Sequence, residues 1–269
     1  MKIRSNWLAL AATVALLGAG AEARAATIYS QDFETDTTGW FGGSFGGSIA
    51  RVASGAGVLG VPSADGSFHG EVTTSAATGS GAFTNFGGYS TVWPAGGFTQ
   101  SLDIYIDPAA GSVGDRWFLD NALQQDTGGW LEAGGVGAEK TAAGVWSLAA
   151  DYDGAGYPGG GIQITSAGWY TIESEWVEVG LEVQRKTRIY DNVGALLYDD
   201  TALPPFQDLA DVGGWMYGWV GLASGSASSG FTLAIDNSGL TAVPEPGAAL
   251  LLGLGLAGIA AHRRGRPAA

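Results

Sequence analysis

The 269-residue chain has no cysteine, which removes disulfides, thiolate metal sites and cysteine nucleophiles together. Histidine is nearly absent too: two in the whole sequence, so neither a Ser-His-Asp arrangement nor a zinc ligand set has its parts. Basic residues are scarce, 12 against 26 acidic, and a net charge of -14 argues against nucleic-acid backbones and anionic membrane surfaces as partners of the main body. No apolar run reaches the ~20 residues of a comfortable membrane-spanning helix. What is abundant is glycine, at 46 residues, and each would cost about 0.5–1 kcal/mol inside a helix. With 46% hydrophobic and 11% aromatic residues the chain still has material for a core, so it reads as a folded β protein.

Both ends read as sorting segments. Lys2 and Arg4 precede an apolar stretch from Trp7 to Ala21, and Ala23-Arg24-Ala25 supplies a small-residue exit before Ala26. That order makes residues 1–25 a secretory signal peptide. At the other end, Val243-Pro244-Glu245-Pro246 breaks any preceding element, an uncharged run follows from Gly247 to Ala261, and Arg263, Arg264 and Arg266 close the sequence. As a helix those 15 residues would rise only ~22 Å, short of the ~30 Å hydrocarbon layer. The arginines beyond the run favour a cytoplasmic tail, which places everything between the two apolar segments across the membrane.

The Pro-Glu-Pro tripeptide, the short glycine- and leucine-rich run and the arginine tail together resemble the PEP-CTERM sorting signal of Gram-negative bacteria. The resemblance implies export with the secretion machinery, recognition of Pro244, Glu245 and Pro246 by exosortase, a basic tail at Arg263, Arg264 and Arg266, transient inner-membrane anchoring through residues 243–269, and delivery to the cell surface or beyond. It implies no membrane contact for the rest of the chain. The sorting segments hold six of the 12 basic and two of the 26 acidic residues, so residues 26–242 carry six against 24, a net of -18.

Those 217 residues form one domain, without a linker or fixed-period repeat. Turn signals such as Asp107-Pro108, Pro158-Gly159 and Asp191-Asn192 separate short strand patterns, including Thr27–Asp32, Gly47–Ser54, Gly57–Val61, Gly168–Glu178 and Trp215–Ala223. Phe98, Gln100, Leu102, Ile104 and Ile106 alternate onto one face. Helix is confined to one short turn within 201–212. The expectation is an all-β, antiparallel sandwich flanked by a signal peptide and a C-terminal hydrophobic helix. The opening Gln31-Asp32-Phe33-Glu34 with Gly39-Trp40, and the closing Phe231–Asn237, resemble carbohydrate-binding jelly rolls and the wider concanavalin-A-like sandwiches.

Three candidate sites remain. Trp215, Tyr217 and Trp219 alternate and would share one face as an aromatic sugar-binding platform. Glu173 and Glu175 also share a face, and Glu173-Ser174-Glu175-Trp176-Val177-Glu178 is similar to the catalytic strand of laminarinase-like hydrolases, with Glu at the middle acid where that family has Asp. Glu182 continues the acidic spacing, which suits a solvated strand face, so the chain is expected not to be an enzyme. No cofactor is required; a structural Ca²⁺ between Glu34 and Asp236 is the metal that the jelly-roll resemblance implies. These readings give an exported structural or adhesive protein in association with exopolysaccharide, with a carbohydrate-binding module and a divergent glycoside hydrolase as alternatives.

Overall fold

The computed structural model describes residues 26–42, 46–88, 92–125, 130–151, 160–201, 207–228 and 230–243. The signal peptide, Pro244-Glu245-Pro246, the C-terminal hydrophobic helix and the three tail arginines lie outside them. In chain order the strands are β1 (Thr27–Gln31), β2 (Trp40–Gly42), β3 (Ser48–Ala53), β4 (Phe68–Thr73), β5 (Gly81–Thr84), β6 (Gly97–Ile106), β7 (Arg116–Gln125) and β8 (Trp130–Ala142). There follow β9 (Val145–Asp151), β10 (Ile162–Ile164), β11 (Gly168–Val179), β12 (Glu182–Tyr190), β13 (Leu196–Thr201), β14 (Gln207–Asp208), β15 (Val212–Leu222) and β16 (Thr232–Ala242). One 3₁₀ turn, Leu209–Asp211, accounts for the helical content among the described residues, and the Asp208 side chain caps it by accepting from the Ala210 N–H.

The strands make two antiparallel sheets. The first runs β13-β12-β11-β6-β16-β4-β3, with β1 added beside β16 and β14 beside β12; the second runs β10-β9-β8-β7-β15-β5-β2. Alternation decides which face of each strand is buried. In β6, Phe98, Gln100, Leu102, Ile104 and Ile106 point inward, and their neighbours in sequence are half-exposed. Leu102, Ile104 and Ile106 meet Trp117 and Leu119 of β7, Val136 of β8, Leu148 of β9 and Val220 of β15 in one apolar cluster spanning both sheets. Fully burying a side chain of Leu or Ile size contributes about 1.5–3 kcal/mol, so this cluster is the main source of stability. A second cluster, with Phe98, Leu123, Trp176, Val183 and Leu240, fills the end where β16 finishes.

Some polar groups inside the sandwich hydrogen-bond across it. Asn121 Nδ2 of β7 donates to Ser174 Oγ of β11 at 2.7 Å, and Arg185 Nη2 of β12 donates to the Asp151 carbonyl of β9 at 2.7 Å. Such bonds fix how the sheets face one another, because leaving either partner unsatisfied would cost about 1–3 kcal/mol. The result is the antiparallel β sandwich of jelly-roll type that the sequence pattern suggests.

One expected strand is absent. Gly57–Val61 lies in the loop between β3 and β4, where residues 57–59 form a turn. The Val58 and Leu59 N–H groups donate to the Glu71 carboxylate at 3.0 Å each, so a side chain takes the bonds a neighbouring strand would have taken.

Candidate functional site

The second sheet carries an unusual row on its outer face. Register places Asp151, Gly135, Asp120, Trp219, Phe83 and Phe41 side by side across β9, β8, β7, β15, β5 and β2. Five inter-strand steps of ~4.8 Å make this row about 24 Å long. Its aromatic half is continuous: Phe41 and Phe83 ring centroids are 5.3 Å apart, Tyr217 meets Phe83 edge-on at 6.0 Å, and Phe118 meets Trp219 edge-on at 5.6 Å. Phe41 is 44% exposed and Phe83, Tyr217 and Trp219 are half-buried, whereas Asp120 and Asp151 are buried. The next row is nearly flat: Ala149, Gly137, Phe118, Gly221 and Gly81. Glycine is required at 221, since a Cβ there would stand 2.9 Å from the Phe118 ring that lies over it. The face is therefore a shallow trough walled by aromatic rings, with the Asp120 and Asp151 carboxylates buried away from solvent.

Tyr217 and Trp219 thus stand on one exposed face, as their spacing suggests. Trp215 belongs to the same strand; a bulge lies between Val212 and Met216, and its side chain is outside the described residues. Phe41, Phe83, Asp120 and Asp151 come from four other strands, and no sequence motif links them. Most other tryptophans are structural: Trp117, Trp146 and Trp176 are in the core, and Trp169 donates to the Pro62 carbonyl at 2.9 Å.

Glu173 and Glu175 do share a face, the outer side of the first sheet, but they are tied down. Arg188 on β12 lies opposite Glu173; its Nη2 is 2.6 Å from Glu175 Oε2, its Nη1 3.8 Å from Glu173 Oε2, and its Nε 3.8 Å from Asp199 Oδ1. Burial opposes the Arg188 charge, yet the Glu175 hydrogen bond and charge outweigh it and raise its pKa further. The Arg188 guanidinium thus stands between the two carboxylates, where a substrate would have to sit for them to act on it together. This is a cross-strand ion cluster on a sheet surface.

The jelly-roll metal does not fit Glu34 and Asp236. Glu34 Oε1 accepts the Ser67 and Phe68 N–H groups at 2.7 and 2.8 Å; Asp236 Oδ2 accepts from Ala64 N–H at 3.0 Å and its Oδ1 from Asn237 N–H at 2.9 Å. Both carboxylates hold the loop between β3 and β4 through amides, the job a cation would otherwise do. Gly66 sits against Glu34 with φ +61°, where a Cβ would stand 2.3 Å from Oε1. No group of three or more His, Asp or Glu side chains among the described residues is arranged to hold a metal ion. Burial of the Asp236 carboxyl pushes its pKa up to about 6, against amide hydrogen bonds that pull it down. His69, enclosed by the same loop, shares a 3.2 Å hydrogen bond with Ser63 Oγ through Nδ1; burial lowers its pKa, with Glu71 opposing.

The last strand runs directly into residues 242–264, which match the PEP-CTERM protein-sorting motif. The chain carries a PEP-CTERM sorting motif. That makes it an exported protein, sorted to the cell surface by way of exosortase. Among the described residues no helix is long and apolar enough to cross a membrane. No curated protein matches the chain. Among solved structures it is similar to a protein of unknown function from Shewanella oneidensis MR-1, at 16% identity over 80% of this chain and 87% of that one, with a TM-score of 0.42. It is also similar to the CBM22-1 xylan-binding domain from Paenibacillus barcinonensis, at 12% identity over 83% and 99% of the two chains, TM-score 0.42. The metal-free lectin I-B4 of Griffonia simplicifolia matches at 9% identity over 78% and 98%, TM-score 0.40. At these scores none of them transfers a ligand or an activity to the PEP-CTERM protein.

Proposed function

We propose that this PEP-CTERM protein is a non-enzymatic, cell-surface polysaccharide-binding protein, with a structural or adhesive role in association with exopolysaccharide, and that it holds its glycan along the outer trough of the second sheet. The observation that carries the reading is the exposed aromatic row Trp219-Phe83-Phe41, with Tyr217 beside it. Sugar rings present apolar C–H faces that suit aromatic surfaces. The accessible aromatic stretch from Trp219 to Phe41, two inter-strand steps or about 10 Å, suits a short oligosaccharide stretch rather than a single sugar. With a net charge of -18 on residues 26–242, the body would repel an anionic polymer, so the glycan is neutral. The non-enzymatic part rests on the Arg188 clamp over Glu173 and Glu175.

The test is affinity electrophoresis and calorimetry against neutral and acidic exopolysaccharides, with Trp219→Ala and Phe83→Ala beside the unaltered protein. Binding to neutral polymers that either substitution abolishes, with the thermal midpoint retained, supports the proposal. Equal binding by the variants, or none by the unaltered protein, rejects the trough. Release of reducing sugar that Glu173→Gln abolishes would reject the non-enzymatic reading.

A further inference from the structure

The sorting motif does not begin after the sandwich; it begins inside it. Ala242, the first residue of the matched segment, is the last residue of β16, and Cα partnering sets it opposite Phe98 of β6. Its N–H donates to the Ala26 carbonyl at 2.8 Å, and the N–H of the next residue, Val243, donates to the Gly97 carbonyl at 2.9 Å. Over this stretch β16 is paired on both sides: Thr241 faces Thr99 of β6 and Thr27 of β1. No spacer separates these hydrogen bonds from Pro244. From Val243 to the start of the uncharged run at Gly247 the chain is four residues long, a reach of at most ~14 Å.

An enzyme that acts on a peptide bond grips substrate as an extended strand, making main-chain hydrogen bonds to residues on either side of the target. Around Pro244-Glu245-Pro246, the upstream residues of such a grip are Ala242 and Val243, and the folded sandwich has already taken their N–H groups. We propose that the closed end of β16 withholds the upstream part of the sorting motif from the processing enzyme, so that processing takes place before β1 and β6 close on this end, or when the end frays. Folding of the body and removal of its tail are then competing events.

The experiment uses the full-length protein expressed with its exosortase and follows tail removal by pulse-chase and immunoblot. A Thr27→Cys, Thr241→Cys pair creates a cross-link between directly opposed residues, at a separation that suits a disulfide and in a chain with no other cysteine. A second variant inserts six Gly/Ser residues between Val243 and Pro244. The cross-linked protein is expected to lose its tail several-fold more slowly than the single Thr27→Cys control. The spacer is expected to speed tail removal in the unaltered body and to restore it in the cross-linked one. Equal rates in all variants overturn the proposal. So does slowing by the cross-link that the spacer does not relieve, because the obstruction would then lie elsewhere than in the held residues.

Discussion

Protonation of Asp236 should add stability over a window in which carboxylate-rich proteins commonly weaken. Its side chain is fully buried, with one oxygen bonded to Ala64 N–H and the other to Asn237 N–H. Burial raises its pKa from the ordinary 3.8 to about 6. A carboxyl that binds its proton more tightly folded than unfolded contributes stability that is complete below the unfolded pKa and disappears as pH rises through the folded one. About two units at 1.36 kcal/mol each give about 3 kcal/mol in all, of which about 2 is regained by pH 4.5. For a body of this size that corresponds to roughly 4–8 °C in thermal midpoint. Other carboxylates change the absolute profile; Asp36, for example, has its pKa lowered by hydrogen bonds from Thr38 and destabilises the fold as it protonates. The quantity to measure is therefore the difference between unaltered protein and Asp236→Asn, by thermal and urea unfolding from pH 8 to pH 4.5 at constant ionic strength. The unaltered protein should gain about 2 kcal/mol relative to the variant across that range. Parallel profiles would refute the reasoning, since they would show that Asp236 binds its proton no more tightly folded than unfolded.

Gly66→Ala should cost about 1–3 kcal/mol, because the residue must keep φ +61° while its new methyl displaces the Glu34 carboxylate; urea unfolding reads the loss directly. Arg188→Met should lower stability by about 1 kcal/mol, since Glu173 and Glu175 lose the cation between them on a partly screened surface, and a chemical-denaturation midpoint that rises instead would show that the cluster does not stabilise. Millimolar calcium should leave the thermal midpoint unchanged, as the Glu34 and Asp236 oxygens that face the loop are already occupied by its amides; a rise that Asp236→Ala removes would restore the metal reading.

Where hydrophobic and polar residues alternate, the fold was legible. Phe98–Ile106 gives β6 with its bounds and its buried face, and Trp215–Ala223 gives most of β15. β8 escaped because its middle, Ala133 to Ala138, is largely glycine and alanine, which carry no contrast with period two. β4 escaped for another reason. Its outer face, including Glu71, is covered by the loop that precedes it, so five consecutive positions are buried or nearly so. The trough was legible only as the Tyr217–Trp219 face. Its other members meet through register across six strands, and a one-dimensional pattern holds no record of register. The same blindness applies to Arg188, thirteen residues from Glu175 in sequence and in direct contact with it in space.

The position of β16 has a mechanical consequence. A protein held at residue 243 while polymer pulls on its second sheet takes the load along the length of that strand. Because β16 lies between β1 and β6 at its loaded end, rupture must slide it past both neighbours and break their hydrogen bonds together. A strand at the border of the sheet could instead be peeled off one bond at a time. The arrangement places the connection to the sorting motif on a strand that resists tension in shear.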